Sequence, residues 1–192
     1  MVIQYKDCFR DRSRVTEDQE PMRVQASILI ERPAEAIFAC VANVAFLRQW
    51  VAPFRTDKYD IPPESHYRQV HHTVRFPELR HVSQGAWGVG TTFKQSNESR
   101  MYPVEATIAI TEYEPPTTVT FQVQSEMAIS QMKWVFQHAS GGGTRATVIW
   151  EQHLLDWKFQ VVGLMASLVM RDKVPGSPQY MQRLRSYVED QC

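Results

Sequence analysis

Met132-Lys133-Trp134-Val135-Phe136-Gln137-His138, the turn Gly141-Gly142-Gly143, and then Thr144-Arg145-Ala146-Thr147-Val148-Ile149-Trp150-Glu151-Gln152-His153-Leu154 make the passage on which the fold turns. Apolar residues alternate with polar ones in both arms. Met132, Trp134 and Phe136 share one face of the first, and Ala146, Val148 and Trp150 share one face of the second. Gln137, Thr147 and Glu151 lie on the other side, so each arm reads as a strand with one dry and one wet face. A glycine turn this short cannot hold a crossover, so the two strands pair antiparallel.

The pattern continues upstream. Leu79 to Gln84, Thr91 to Ser96, Val104 to Tyr113 and Val119 to Ser125 are further strands, separated by Gly85 to Gly90, Asn97-Glu98-Ser99 and Pro115-Pro116. In register, Val104, Ala106, Ile108 and Ile110 face inward with Val119, Phe121 and Val123, while Glu105, Thr107, Gln122 and Gln124 face out. Val24 to Glu31 adds a first strand, with Ala26, Ile28 and Ile30 on its apolar side. Pro33 then suits the first turn of a helix that presents Ile37, Phe38 and Val41. Asn43 is placed to cap a second short helix carrying Phe46, Leu47 and Trp50, ended by Pro53.

Residues 55–78 are polar and broken by Pro62-Pro63 and Pro77, which reads as an insertion. Residues 1–22 are densely charged and form a loosely held extension ahead of a single domain over 23–192. The tail is helical in two parts. Trp157 to Lys173 comes first; after Pro175-Gly176, Ser177 caps and Pro178 opens a second helix with Met181, Leu184, Tyr187 and Val188 as its apolar stripe.

This order of strand, two short helices, antiparallel meander and C-terminal helix resembles the helix-grip (Bet v 1-like) fold of the START-like, or SRPBCC, superfamily. That superfamily includes polyketide cyclase/dehydrase-like proteins. Ile28-Leu29-Ile30-Glu31-Arg32-Pro33-Ala34-Glu35-Ala36-Ile37-Phe38 is similar to the family's opening, and Trp50 stands where a tryptophan commonly follows the second helix. Gly85-Ala86-Trp87-Gly88-Val89-Gly90-Thr91 resembles its glycine-rich turn. Ile110 to Pro116, Gly142 to Thr147 and Leu184 to Glu189 resemble its later strand end, last hairpin and closing helix. The resemblance implies an α+β fold in which a curved antiparallel sheet wraps a C-terminal helix and leaves an apolar cavity.

Composition narrows the function. The 21 basic and 21 acidic residues balance, so no overall field draws in nucleic acid. The apolar run from Phe159 to Met170 falls well short of the ~20 residues that span a bilayer, and no transmembrane segment is expected. Cys8, Cys40 and Cys192 have neither a disulfide-framework nor a zinc spacing, which suits a reducing cytoplasm.

Specific chemistry is sparse. The glycines at 85, 88 and 90 lead into a strand, so a structural turn fits better than a phosphate loop. His66, His71, His72 and His81 match no metal motif, and neither metal nor cofactor is expected. No GxSxG elbow is present. Glu151 and His153 share a face, either as an acid/base pair or as a solvated pair. Gln152, His138 and Gln95 follow the inward register, and Arg100 and Tyr102 stand near a strand start. The expected ligand-binding set is Trp50, Trp87, Tyr102, Ala106, Ile108, Phe121, Trp134, Phe136, Trp150 and Gln152, the tryptophans suiting either pocket walls or core filling.

The expected function is binding of a hydrophobic small molecule such as a polyketide, lipid or isoprenoid, with cyclase- or dehydratase-like catalysis left open. The alternative is an interaction module that docks a partner protein or membrane surface through the helix at 157–173 and the 55–78 insertion. Oligomeric state has no signature in the residues.

Overall fold

The computed structural model describes residues 21–43, 78–97, 104–126, 128–155 and 175–191. They form one seven-stranded antiparallel sheet and two helices. The strands are β1 (Met22–Ile30), β2 (Glu78–His81), β3 (Thr92–Asn97), β4 (Val104–Glu114), β5 (Thr118–Ser125), β6 (Ala128–Ala139) and β7 (Gly143–Leu154), in the spatial order β1-β7-β6-β5-β4-β3-β2. Helix α1 (Ala34–Val41) follows β1, and helix α2 (Pro178–Gln191) closes the chain. The expected meander is therefore present, with β1 returning to pair with β7.

One face of the sheet is dry, as the alternation predicts. Ala106, Ile108, Ile110, Val119, Phe121, Val123, Met132, Trp134, Phe136, Ala146 and Val148 are all buried. Fully burying a large apolar side chain contributes on the order of 1.5–3 kcal/mol, so this face is the main source of stability. Both helices pack on it. From α1, Ile37, Phe38 and Val41 are buried. From α2, Tyr180, Met181, Leu184 and Val188 are buried. Tyr187 is only half-buried; the stripe at i, i+4 and i+8 starts at Tyr180 instead.

Local chemistry fixes the ends of these elements. Ser177 caps α2 as expected: its hydroxyl accepts from the Tyr180 amide at 3.1 Å. Asn43 turns back to α1, its side-chain amide donating to the carbonyls of Ala39 and Cys40. The second helix that Asn43 is expected to open lies outside the described residues. Arg32 donates to the Glu189 carbonyl at 2.9 Å and ties the β1–α1 turn to the end of α2. Gly176, at φ +86°, lets the chain enter α2 directly over Val24 and Ala26.

Three details depart from the sequence reading. β2 ends at His81, not Gln84, because Val82 and Ser83 both donate to the Thr92 carbonyl while the Ser83 hydroxyl accepts from the Thr92 amide at 3.0 Å. β6 begins at Ala128, since a tight turn in which Ser125 Oγ bonds both the amide and carbonyl of Ala128 lets pairing start at once. Cys40 is disulfide-bonded, where no bridge was expected. The other two cysteines, at positions 8 and 192, lie outside the described residues. The bridge removes the cysteine-based ground for a reducing compartment.

A register shift between Ile110 and Glu112 has larger consequences. Beyond it Tyr113 faces Val119, so Tyr113 joins the inner face and packs edge-on against Phe38, ring centroids 5.2 Å apart. Glu112 is turned outward. There its carboxylate accepts from the Thr120 hydroxyl at 2.6 Å and from Lys133 Nζ at 3.0 Å, and these bonds hold its pKa below the ordinary carboxylate range.

Candidate functional site

The pairing register divides the inner face into rows that run across the sheet, and the rows differ in bulk. Phe136, Ala146 and Ile28 form one. Next come Tyr113, Val119, Trp134, Val148 and Ala26, then Ile110, Phe121, Met132, Trp150 and Val24. These rows are tightly filled. Phe38 of α1 meets Phe136 edge-on at 6.1 Å, Phe136 lies parallel to Trp134 at 6.3 Å, and the Tyr180 hydroxyl reaches the Met132 sulfur at 4.0 Å.

Two further rows lie beyond the start of α2, whose lead-in Gly176 rests on Val24. One is His81, Phe93, Ile108, Val123, Ser130 and Gln152. The other is Leu79, Gln95, Ala106 and Ser125. Small or polar side chains stand at Gln95, Ala106, Ser125, Ser130 and Gln152, so among the described residues this end of the dry face is the more lightly filled, although Phe93 and Ile108 within it are fully buried. Gln95 and Ala106 are nonetheless buried, at 3% and 4% exposed.

The glycine-rich turn borders this end. Gly88 accepts from the Thr91 amide and donates to the Thr91 hydroxyl, while Gly90 donates to the Ile110 carbonyl, which binds the turn to β4. No helix follows it, so it has no phosphate-loop geometry. It sets the Trp87 ring against Phe93, centroids 5.3 Å apart, with His81 stacked on Phe93 at 5.0 Å.

Of the ten expected ligand residues, Ala106, Ile108 and Gln152 lie in the two lightly filled rows, and Trp87 adjoins them through Phe93. Phe121 and Trp150 occupy the neighbouring row, Trp150 half-buried. Trp134 and Phe136 stand at the filled end, in contact with each other and, through Phe136, with α1. Trp50 and Tyr102 lie outside the described residues, as do Arg100, His66, His71, His72, the insertion at 55–78 except Glu78, which opens β2, and the helix at 157–173. Gln95, not among the ten, stands in the second of the lightly filled rows. Alternation placed it inward, but only the register shows it beside Ala106.

Other candidates resolve differently. His138 is exposed beside the last hairpin, opposite Thr144. Glu151 pairs with Arg23 at 3.3 Å on the outer face, the solvated reading of that residue. Among the described residues no three His, Cys, Asp or Glu side chains gather as a metal site needs, and no helix is long and apolar enough to cross a membrane.

A family model described as polyketide cyclase / dehydrase and lipid transport matches residues 21–189. Among solved structures, an uncharacterised Rhizobium leguminosarum protein superposes with a TM-score of 0.55 at 14% identity, covering 90% of this chain and 97% of its own. A Staphylococcus aureus protein of unknown function gives 0.56 at 12% identity, covering 90% and 96%. Ara h 8.0201 gives 0.50 at 12% identity, covering 88% and 96%. At these identities the likeness is one of fold, and it agrees with the helix-grip arrangement read from the strands. No curated protein matches the chain by sequence.

Proposed function

Given that the chain belongs to the polyketide cyclase/dehydrase and lipid transport family, we propose that it holds a hydrophobic small molecule against the lightly filled end of its inner sheet face. The observation that carries this reading is the contrast between rows. A single dry face has aromatic packing at one end and, among the described residues, the small side chains of Ala106, Ser125 and Ser130 beside Phe93 and Ile108 at the other. Such a surface, apolar with a few polar groups, has the composition of a small-molecule site.

Ala106, Ile108, Phe121 and Trp87 would touch the ligand, with Gln152 and Trp150 at its border. Trp134 and Phe136, on the same face at its filled end, would brace the wall from the side. The described part of the site suits binding better than proton transfer. Of its polar residues, Gln95, Ser125, Ser130 and Gln152 cannot carry general acid/base work, and the one imidazole, His81, stands exposed at the end of its row with Nε2 bonded to the Ser83 hydroxyl at 2.8 Å. Any catalysis here would come from holding a flexible molecule in a productive shape. The polyketide, lipid and isoprenoid classes all fit this description.

Titration with an environment-sensitive apolar dye tests the reading. The expected result is one saturable site, lost in Ala106→Trp, whose indole would occupy the space beside Gln95 and Ile108. Dye binding that ignores this substitution, in a variant that melts like the parent, would remove the site from this end of the sheet.

A further inference from the structure

We propose that Gln95 and Trp87 form the polar end of this site and select a neutral apolar molecule bearing a hydroxyl group. The inference rests on the ligand-holding reading above. Gln95 is 3% exposed and sits on the inner face between Leu79 and Ala106. Its Oε1 has no hydrogen-bond partner among the described residues, and neither has the buried Nε1 of Trp87.

Both atoms belong to residues grouped round Phe93. The Trp87 ring lies 5.3 Å from the Phe93 ring, and Gln95 follows Phe93 by two residues on the same face, about 7 Å along the strand. An acceptor and a donor, both dry, therefore flank one aromatic ring. Leaving either unmet opposes folding. The β3 ladder uses only backbone groups, so a leucine would fill the Gln95 position without that cost. A polar side chain is explained if something else bonds to it.

The chemistry of the two atoms narrows what that is. Oε1 only accepts and the indole N–H only donates. A hydrocarbon meets neither. A carboxylate can accept from Trp87 but has no proton for Oε1; Leu79, Phe93, Ala106 and Ile108 offer its charge no partner, and His81, across Phe93, has its Nε2 bonded to the Ser83 hydroxyl. A hydroxyl both donates and accepts, so it satisfies either atom or, where one group reaches both, the pair.

The test compares naphthalene, 2-naphthol and 2-naphthoate, titrated into the full chain at neutral pH by dye displacement or calorimetry. The wild type should bind 2-naphthol about tenfold more tightly than naphthalene. Gln95→Leu should bring the two within about twofold by weakening 2-naphthol alone. Trp87→Phe, which deletes the donor and keeps an aromatic ring, should narrow the gap as well, and it stands in if Gln95→Leu does not fold. Equal affinity for naphthalene and 2-naphthol in the wild type overturns the proposal. So does a preference for 2-naphthoate, or a gap that survives both substitutions. If the wild type binds none of the three, the ligand-holding reading falls and takes this proposal with it.

Discussion

The Tyr180 hydroxyl lies in the core, 4.0 Å from the Met132 sulfur, and burial raises its pKa above the ordinary value of 10.0, with Arg183 acting in the opposite sense. A raised acid pKa fixes the sign of its effect on stability. Below about pH 10 both folded and unfolded chains keep the phenol neutral, and the contribution is fully present. Above that, the unfolded chain ionises while the folded one does not, so stability is lost at up to about 1.4 kcal/mol per pH unit. Tyr180→Phe should therefore lose less stability than the wild type between about pH 10 and 11 in denaturant titrations. Parallel losses in the two proteins would mean the phenol is not buried. Tyr180 was also the least legible of the core residues. The stripe Met181, Leu184, Tyr187 and Val188 reads well on apolarity alone, but the helix is rotated so that Tyr180 is buried and Tyr187 half-exposed, because Gly176 fixes the angle at which α2 meets β1. Ala106, Ile108, Phe121, Trp134 and Phe136 were readable as inward-facing because a strand allows only two directions for a side chain.

That entry angle is a property of elements, and it depends on one close contact. A Cβ built on Gly176 would lie 2.6 Å from Val24 Cγ1 and 3.3 Å from Ala26 Cβ, at a φ of +86° that also disfavours any L side chain. Gly176→Ala should cost about 1–3 kcal/mol through strain and overpacking, measured as a lower unfolding midpoint. Val24→Ala in the same chain should recover part of the loss, since it relieves the contact but not the dihedral. If the single variant melts like the parent, α2 does not rest on β1 at this point. Strand existence was plain from alternation, whereas strand ends and the shift after Ile110 were not. A bulge adds a residue without changing composition, and so Tyr113 crosses to the inner face unannounced. The exchanges that end β2 and start β6 run through serine side chains, which no apolar period records.

Across the described sheet, packing falls to one end of the inner face and the proposed ligand contact to the other. Phe38, Tyr113, Trp134 and Phe136 interlock at the α1 end and contribute stability, while on the proposed reading Gln95, Ala106, Ser125 and Ser130 leave room for a ligand beside the buried Phe93 and Ile108. A sequence reveals the common face but not this division, because bulk along a row is set by residues far apart in the chain that only the register brings side by side. If the division holds, damage to one end should spare the other. Phe136 is 3% exposed, and Phe136→Ala should cost about 3–5 kcal/mol as the Phe38 and Trp134 rings lose their neighbour. At a temperature where the variant remains folded, its affinity for the apolar dye should stay within about threefold of the wild type. Ala106→Trp should show the converse, with dye binding lost in a variant that remains folded and is destabilised by no more than about 1–3 kcal/mol of local overpacking. The pair of measurements is more exacting than either alone: if Phe136→Ala weakens dye binding as much as Ala106→Trp does, the sheet face acts as one continuous core, and the rows beside Gln95 are not a separate site.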